Sequence, residues 1–142
     1  MTDLILMVQG DLTKGMRQKI MCMITMDAHS RDIILKLHDE KVANADEFQW
    51  QSQLKAYWEE GLKDYQLRVA DAAFFYGYEY LGNGARLVVT PLTDRIYVTA
   101  TQALHLCMGC APAGPAGTGK TETTKDLSSA CAKAIYVFNC SD

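Results

Sequence analysis

Eight consecutive residues carry the clearest chemical signal in the sequence. The run Gly114–Thr121 reads GPAGTGKT and fits the pattern G-x-x-x-x-G-K-[ST] at each fixed position. At ordinary residue frequencies, a match of this kind arises by chance in about one chain of this length in two hundred. The pattern is typical of loops that bind the phosphates of a nucleoside triphosphate, and it predicts such a loop here.

The residue types in this run suit phosphate chemistry. Glycines let the backbone curl so that successive N–H groups face one concavity, and a helix that begins near Lys120 adds the positive end of its dipole. We expect Lys120 to contact the β- and γ-phosphates of ATP or ADP, and the Thr121 hydroxyl to coordinate Mg²⁺. The predicted nucleotide contacts in this run and at the residue after it are Gly114, Pro115, Ala116, Gly117, Thr118, Gly119, Lys120, Thr121 and Glu122.

Hydrolysis of the nucleotide would need a further acidic residue at the end of a strand, to hold the metal and orient water. After Thr121, no run of four apolar residues is followed at once by Asp or Glu, and Asp142 lies four residues beyond Phe138. The residues present therefore predict nucleotide binding and do not predict hydrolysis by this chain alone.

Hydrophobic periodicity predicts the elements ahead of the loop. Apolar residues at helical spacing predict a helix over Thr13–Ala28, capped by Thr13, which continues or restarts through a core-facing stripe at Ile33–Leu37 toward His38. Spacing of i, i+4, i+7, i+8 and i+12 predicts an amphipathic helix over Trp50–Leu62. Alternation over Tyr65–Ala70 then favours a strand.

The second half of the chain has shorter apolar runs separated by Gly and Pro, beginning at the turn signal Gly82-Asn83-Gly84. We expect an extended run over Arg86–Thr90 and then a helix capped by Thr93 or Asp94. After the phosphate loop we expect a helix and then a strand over Ile135–Phe138. This succession predicts an α/β fold, and the apolar run near the last residue predicts that the chain is a segment of a longer protein.

Composition narrows the classes of partner. The chain has 142 residues, 49% apolar and 22% charged, with a formal net charge of −3. A slightly acidic surface offers no strong positive field to nucleic acid or anionic lipid, so neither nucleic acid nor membrane is expected as a partner. No signal peptide or membrane span is recognisable, and a cytoplasmic location follows as the expectation.

The cysteines leave one alternative open. Cys107 and Cys110 have C-x-x-C spacing, and with His105 they could form a metal or redox site. No second pair at zinc-finger spacing is present, so a four-ligand site would need Cys131 and Cys140 to converge. We expect instead reduced thiols that fill small core positions near the nucleotide.

The string Gly114–Leu127 and the tail Val137–Asp142 resemble the first AAA+ module of dynein heavy chains, and are most similar to axonemal chains of the outer-arm β type. The likeness extends to segments before the loop, Tyr78–Asn83 and Arg86–Arg95. It also extends into the linker, the part of the family that precedes this module, at Asp27–Asp32 and Phe48–Leu54. The chain departs from the usual sequence of the family at two places. Cys110 stands where the family commonly has Gly, and Ser128–Ala132 differs from the usual residues after the loop.

The resemblance implies a domain organisation and a function. Residues 1–75 would be the C-terminal, mainly helical part of the linker, and residues 76–142 the N-terminal part of an incomplete AAA+ αβα sandwich. The implied protein is a motor that couples ATP hydrolysis to linker movement along microtubules, in the cytoskeleton of the axoneme of a cilium or flagellum. Its implied partners are nucleotide, microtubules through parts absent here, and other dynein heavy, intermediate and light chains. The implied adenine-side contacts are Leu87, Val88, Pro91 and Leu92.

Two other functions remain open at this point. A small P-loop nucleotide-binding protein or phosphotransferase is one, although such kinases usually carry the loop near the N-terminus. A non-catalytic segment that serves in assembly contacts is the other. By itself the chain is expected not to hydrolyse ATP.

Overall fold

The computed structural model describes residues 2–82 and 84–140. The turn signal at Asn83, the acid Asp142 and the tail string ending Ser141-Asp142 therefore lie wholly or partly outside the described residues. The elements in chain order are α1 Thr2–Gln9, α2 Lys14–Asp39, α3 Phe48–Gln51, β1 Lys55–Glu59, β2 Asp64–Val69, β3 Ala72–Phe75, α4 Pro91–His105 and α5 Lys120–Ala130.

Helix α2 confirms the long N-terminal helix. Thr13 caps it, because its Oγ1 accepts a hydrogen bond from the Met16 amide at 3.4 Å. The prediction that Ile33–Leu37 forms a core-facing stripe is wrong. Ile20 is the buried residue of α2, whereas Ile34 and Leu35 are 65% and 53% exposed. Spacing alone cannot show whether another element covers an apolar face.

A three-stranded antiparallel sheet, in the order β1-β2-β3, follows the first three helices. Strand β2 confirms the predicted strand, but the amphipathic helix over Trp50–Leu62 is wrong, because helix α3 ends at Gln51 and β1 begins at Lys55. Cross-strand contacts outweigh the helical pattern there. The rings of Trp58 and Tyr65 meet edge to face at 5.1 Å, and Arg68 lies over the Tyr57 ring at 4.9 Å.

The N-cap of helix α4 lies three residues before Thr93 and four before Asp94, the two predicted caps. Thr90 is its N-cap, Pro91 is the first helical residue, and Thr93 is a buried member of a capping box. The amides of Thr90 and Thr93 each donate to the hydroxyl of the other threonine at 3.3 Å. The predicted helix is thus confirmed, whereas its expected cap at Thr93 or Asp94 is wrong.

The hydrophobic core joins the sheet to the last two helices. Its buried members are Leu67 of β2, Tyr97 of α4, Leu127 of α5 and Cys131, which follows α5. The Gln102 side-chain amide also donates to the carbonyl of Val69 at 2.9 Å. The core therefore contains residues from both sides of the expected boundary at residues 75 and 76.

The fold class is mixed, with helices and a small antiparallel sheet. The expected strand over Ile135–Phe138 is wrong, and residues 108–113 before the loop also form neither helix nor strand. A strand needs a hydrogen-bonded neighbour, and no described residue forms a ladder with either segment. Among residues 2–82 and 84–140, no helix is both long enough and apolar enough to cross a membrane.

Candidate phosphate-binding site

The phosphate loop leads directly into a helix. Residues 116–119 form a turn, and α5 begins at Lys120 with Gly119 as its N-cap. Gly119 has φ 80° and ψ 13°, and Gly117 has φ 77°, a left-handed backbone that a larger residue would adopt only with strain. No side chain of the described residues caps α5. The first N–H groups of a helix lack intrahelical partners, so this end of α5 is suited to an anion.

The side chain of Lys120 folds back over the earlier residues of the phosphate loop. Its ammonium nitrogen lies 2.9 Å from the Gly114 carbonyl oxygen, contacts the Pro115 carbonyl oxygen and lies 3.3 Å from Thr118 Oγ1. The Thr118 hydroxyl in turn donates to the Pro115 carbonyl at 2.9 Å. The cation is thus held over the loop by neutral acceptors. A phosphate oxygen would be a stronger acceptor for it than a carbonyl, because that hydrogen bond joins two charges.

The threonines and the acid of the first turns of α5 have different surroundings. Thr123 and Thr124 donate their hydroxyls to the carbonyls of Gly119 and Lys120 at 2.9 and 3.0 Å. Thr121, the predicted metal ligand, is exposed at the start of the helix. The carboxylate of Glu122 forms an exposed ion pair with Lys125 at 2.8 Å.

The structure brings only part of the predicted adenine-side segment to α5. Leu87 lies beside a cavity of about 190 Å³ that is also lined by Glu122, Lys125 and Asp126. Val88 and Leu92 are 69% and 68% exposed, and Pro91 is exposed as well. None of these three residues lines that cavity. Of the predicted adenine-side contacts, Leu87 is the one that lies beside α5.

Two residues with a structural part in this region were missed from the sequence. Asp126 of α5 is buried and accepts hydrogen bonds from the hydroxyl of Tyr97 and from the amide of Leu87, the latter at 3.2 Å. Burial and the bond to Asp126 raise the pKa of Tyr97 far above its ordinary value. The sequence signal for Asp126 was an acidic residue next to the apolar Leu127, and both lie on the buried face of α5.

The cysteines do not converge on a metal site. Cys107 and Cys110 are exposed, which makes their expected core positions wrong, whereas Cys131 is buried in the core as expected. Burial raises the pKa of the Cys131 thiol. In the part of the chain that the structure describes, no group of three or more His, Cys, Asp or Glu residues could hold a metal ion.

Comparison with known proteins tests the resemblance directly. Residues 76–142 match the family model described as the hydrolytic ATP binding site of the dynein motor region. Over 99% of its length the chain is 62% identical to the dynein alpha chain of the flagellar outer arm of Chlamydomonas reinhardtii. The chain belongs to the dynein heavy chain family. It spans about 3% of the length of that relative.

Other dynein relatives are similar over nearly the whole chain. Dynein axonemal heavy chain 9 of Homo sapiens is 58% identical over 98% of this chain, and the ciliary dynein beta chain of Tripneustes gratilla is 56% identical over 100%. The chain covers 3% of each of these proteins. The resemblance to axonemal dynein heavy chains is thus confirmed, and a flagellar outer-arm alpha chain and ciliary beta chains are among the relatives. Nothing in the comparisons supports the phosphotransferase alternative.

Proposed function

We propose that this chain is an ATP-binding segment of an axonemal dynein heavy chain. Residues 1–75 belong to the C-terminal part of the linker, and residues 76–142 to the start of the first AAA+ module. The observation that carries the proposal is the placement of the sequence GPAGTGKT on the N-terminus of α5. The family model that covers this region describes an ATP binding site, which supports the same assignment.

In the proposed site, Gly114–Thr121 and Glu122 surround the phosphates. Backbone N–H groups of the loop and of the first turn of α5 donate to phosphate oxygens, and Lys120 exchanges its carbonyl partners for the β- and γ-phosphates. The glycines at positions 117 and 119 allow this close approach, because they hold left-handed backbone without a side chain. The loop thus supplies both charge and oriented dipoles to one anion.

Magnesium fits the donors that the proposed site offers. Mg²⁺ prefers oxygen ligands and usually takes only one or two from the protein, with water and substrate phosphates as the others. The exposed Thr121 hydroxyl is one such ligand beside the phosphate loop. When bound, the ion neutralises charge on the phosphates, and the part of this chain is to orient that hydroxyl at the start of α5.

The base and ribose lie on the side of α5 that faces the segment Leu87–Leu92. The cavity of about 190 Å³ between Leu87 and α5 supports this placement. Ligand pockets for whole small molecules usually measure about 300–1,000 Å³, so this cavity suits part of a nucleotide. In this proposal Val88, Pro91 and Leu92 flank the base from the exposed side of the same segment.

The chain by itself binds ATP without hydrolysing it. Both acids of α5 are already engaged: Glu122 by Lys125, and Asp126 by Tyr97 and Leu87. In the intact protein we expect the catalytic acid to come from another part, and segment 76–142 to be completed into an αβα sandwich. Exposed apolar side chains at Tyr136 and Phe138, 80% and 86% exposed, support that completion, because added strands would bury them.

The intact protein is proposed to be a microtubule motor in the axoneme of a cilium or flagellum, assembled with other dynein chains. The shared core supports a coupling between nucleotide and linker. Leu127 of the phosphate-loop helix packs in one cluster with Leu67 of the sheet, so a shift of α5 on nucleotide binding would act on the first segment.

A photoreactive nucleotide would test this function. An ATP analogue with an azide on the base should label peptides from residues 85–92 or 122–129 of the intact protein, and excess ATP should prevent the labelling. Lys120→Ala should abolish the same labelling, whereas Lys19→Ala, an exposed lysine of α2, should not. Labelling confined to other peptides, or unchanged in Lys120→Ala, would refute the proposal.

A further inference from the structure

Asp126 joins three parts of the second half of the chain. Its Oδ2 accepts a hydrogen bond from the Tyr97 hydroxyl of α4, and its Oδ1 accepts one from the backbone amide of Leu87 at 3.2 Å. Asp126 and Tyr97 are only 8% and 7% exposed. Both oxygens of one buried carboxylate are thus used, one by a donor on α4 and the other by the backbone of the segment before α4.

The surroundings of Tyr97 and Asp126 fix the direction of the hydrogen bond between them. Because burial and the bond to Asp126 raise the pKa of Tyr97, its hydroxyl keeps the proton that it donates. Arg86 lines the same cavity as Asp126, and its charge acts on the pKa of Tyr97 in the opposite direction. A buried carboxylate is tolerated when its oxygens are hydrogen-bonded, so loss of either donor would leave a costly unsatisfied acceptor.

The position of Asp126 relates this arrangement to the nucleotide. Asp126 lies six residues after Lys120 on α5, about 9 Å along the helix at 1.5 Å per residue. Leu87 and Asp126 both line the cavity proposed for the base side. The bond to the Leu87 amide therefore sets how far the base-side segment lies from the phosphate loop.

We propose that Asp126 is a positioning residue that holds the segment around Leu87 against α5, so that base and phosphates are bound at one distance. This inference rests on the proposed ATP site. It predicts that Asp126 contributes to binding of the whole nucleotide and contributes little to binding of its phosphate part alone. A residue that only stabilises the fold would affect both ligands alike.

The test compares ATP with inorganic tripolyphosphate, which lacks base and ribose, by displacement of a labelled nucleotide from the intact protein in Mg²⁺. Asp126→Ala should weaken ATP about tenfold and tripolyphosphate less than about twofold. Tyr97→Phe, which removes one hydroxyl and keeps the Leu87 bond, should weaken ATP by a smaller factor. Thr99→Ala, an exposed change on the same helix as Tyr97, should match the wild type.

Hydrogen exchange gives a second readout that needs no ligand. The Leu87 amide should exchange faster in Asp126→Ala than in the wild type, and Tyr97→Phe should change that rate less. Equal loss of affinity for both ligands, or unchanged exchange at Leu87, would overturn the inference. Lys120→Ala separates the two proposals: it should lose both ligands, and wild-type binding by Lys120→Ala would instead refute the ATP site itself.

Discussion

The ammonium nitrogen of Lys120 lies 2.9 Å from the carbonyl oxygen of Gly114, the first residue of the phosphate loop. The lysine thus closes the loop from the helix side and places its charge above the backbone where phosphate is proposed to bind. The same contact keeps the cation at the loop without a ligand, so little side-chain freedom remains to be lost on binding.

Removal of this charge should abolish nucleotide binding. Lys120→Ala loses the only side-chain cation within the loop and should weaken MgATP at least about a hundredfold, measured by equilibrium titration of the intact protein. Lys19→Ala removes an equal charge from α2 and should bind as the wild type does. Any nucleotide still bound by Lys120→Ala measures the contribution of other sites, and an unchanged affinity would end the assignment.

Thr121 should matter only when the metal is present. Thr121→Ala should weaken ATP about tenfold in Mg²⁺ and leave ATP binding unchanged in excess chelator, because the lost group is a metal ligand. Thr121→Ser retains the hydroxyl and should restore most of the metal-dependent affinity. The metal role would be contradicted by wild-type binding that is equal with and without Mg²⁺.

A side chain at position 77 should disrupt the packing at the end of α5. A Cβ placed on Gly77 would lie 2.2 Å from the carbonyl oxygen of Ala132, and the Gly77 amide donates to the Cys131 carbonyl at 3.0 Å. Gly77→Ala must displace backbone and should lower the free energy of unfolding by about 1–3 kcal/mol, measured by urea titration. At Gly61 an added Cβ meets nothing within 4 Å, so Gly61→Ala is the matched control. Equal stability of the two variants would show that the contact is not rigid.

The carboxylate of Glu47 should make stability depend on pH in the acid range. It accepts the backbone amides of Ala43 and Asn44 at 2.8 and 2.9 Å, and these bonds lower the pKa of Glu47 from its ordinary value of 4.5. A lowered folded-state pKa contributes stability above about pH 4.5 that is lost as pH falls through the folded value.

Glu47→Gln should therefore be less stable than the wild type near neutral pH. The difference should shrink as pH falls below the ordinary glutamate value, because the wild-type carboxyl is then protonated. Urea unfolding at a series of pH values measures it. Two stability profiles that stay parallel between about pH 7 and pH 3 would contradict the role of these bonds.

The parts of the fold that follow from local interactions were predictable. A threonine at a helix start is sufficient for the beginning of α2, because the capping bond joins residues three apart. The glycine-rich run that ends in Lys120 likewise predicts a loop that opens a helix, and α5 begins at that residue. The dynein resemblance also depended only on residue order, and the comparisons confirm it.

Contacts between residues that are distant in the sequence determined the rest of the fold. The sequence over Trp50–Leu62 suits a helix by its spacing, yet pairing with β2 makes residues 55–59 a strand, because cross-strand bonds and ring contacts come from residues outside that window. By contrast, the apolar run Ile135–Phe138 has strand composition and forms no ladder with any described residue.

The sequence by itself determined the family, the glycine-rich loop that opens α5 and the start of α2 at its Thr13 cap. Only the tertiary structure decided that Asp126 receives the Leu87 amide and the Tyr97 hydroxyl, since these donors are 39 and 29 residues away along the chain. A hydrogen bond over such a separation forms only after the chain has closed large loops, and their closure depends on core packing that no local spacing encodes.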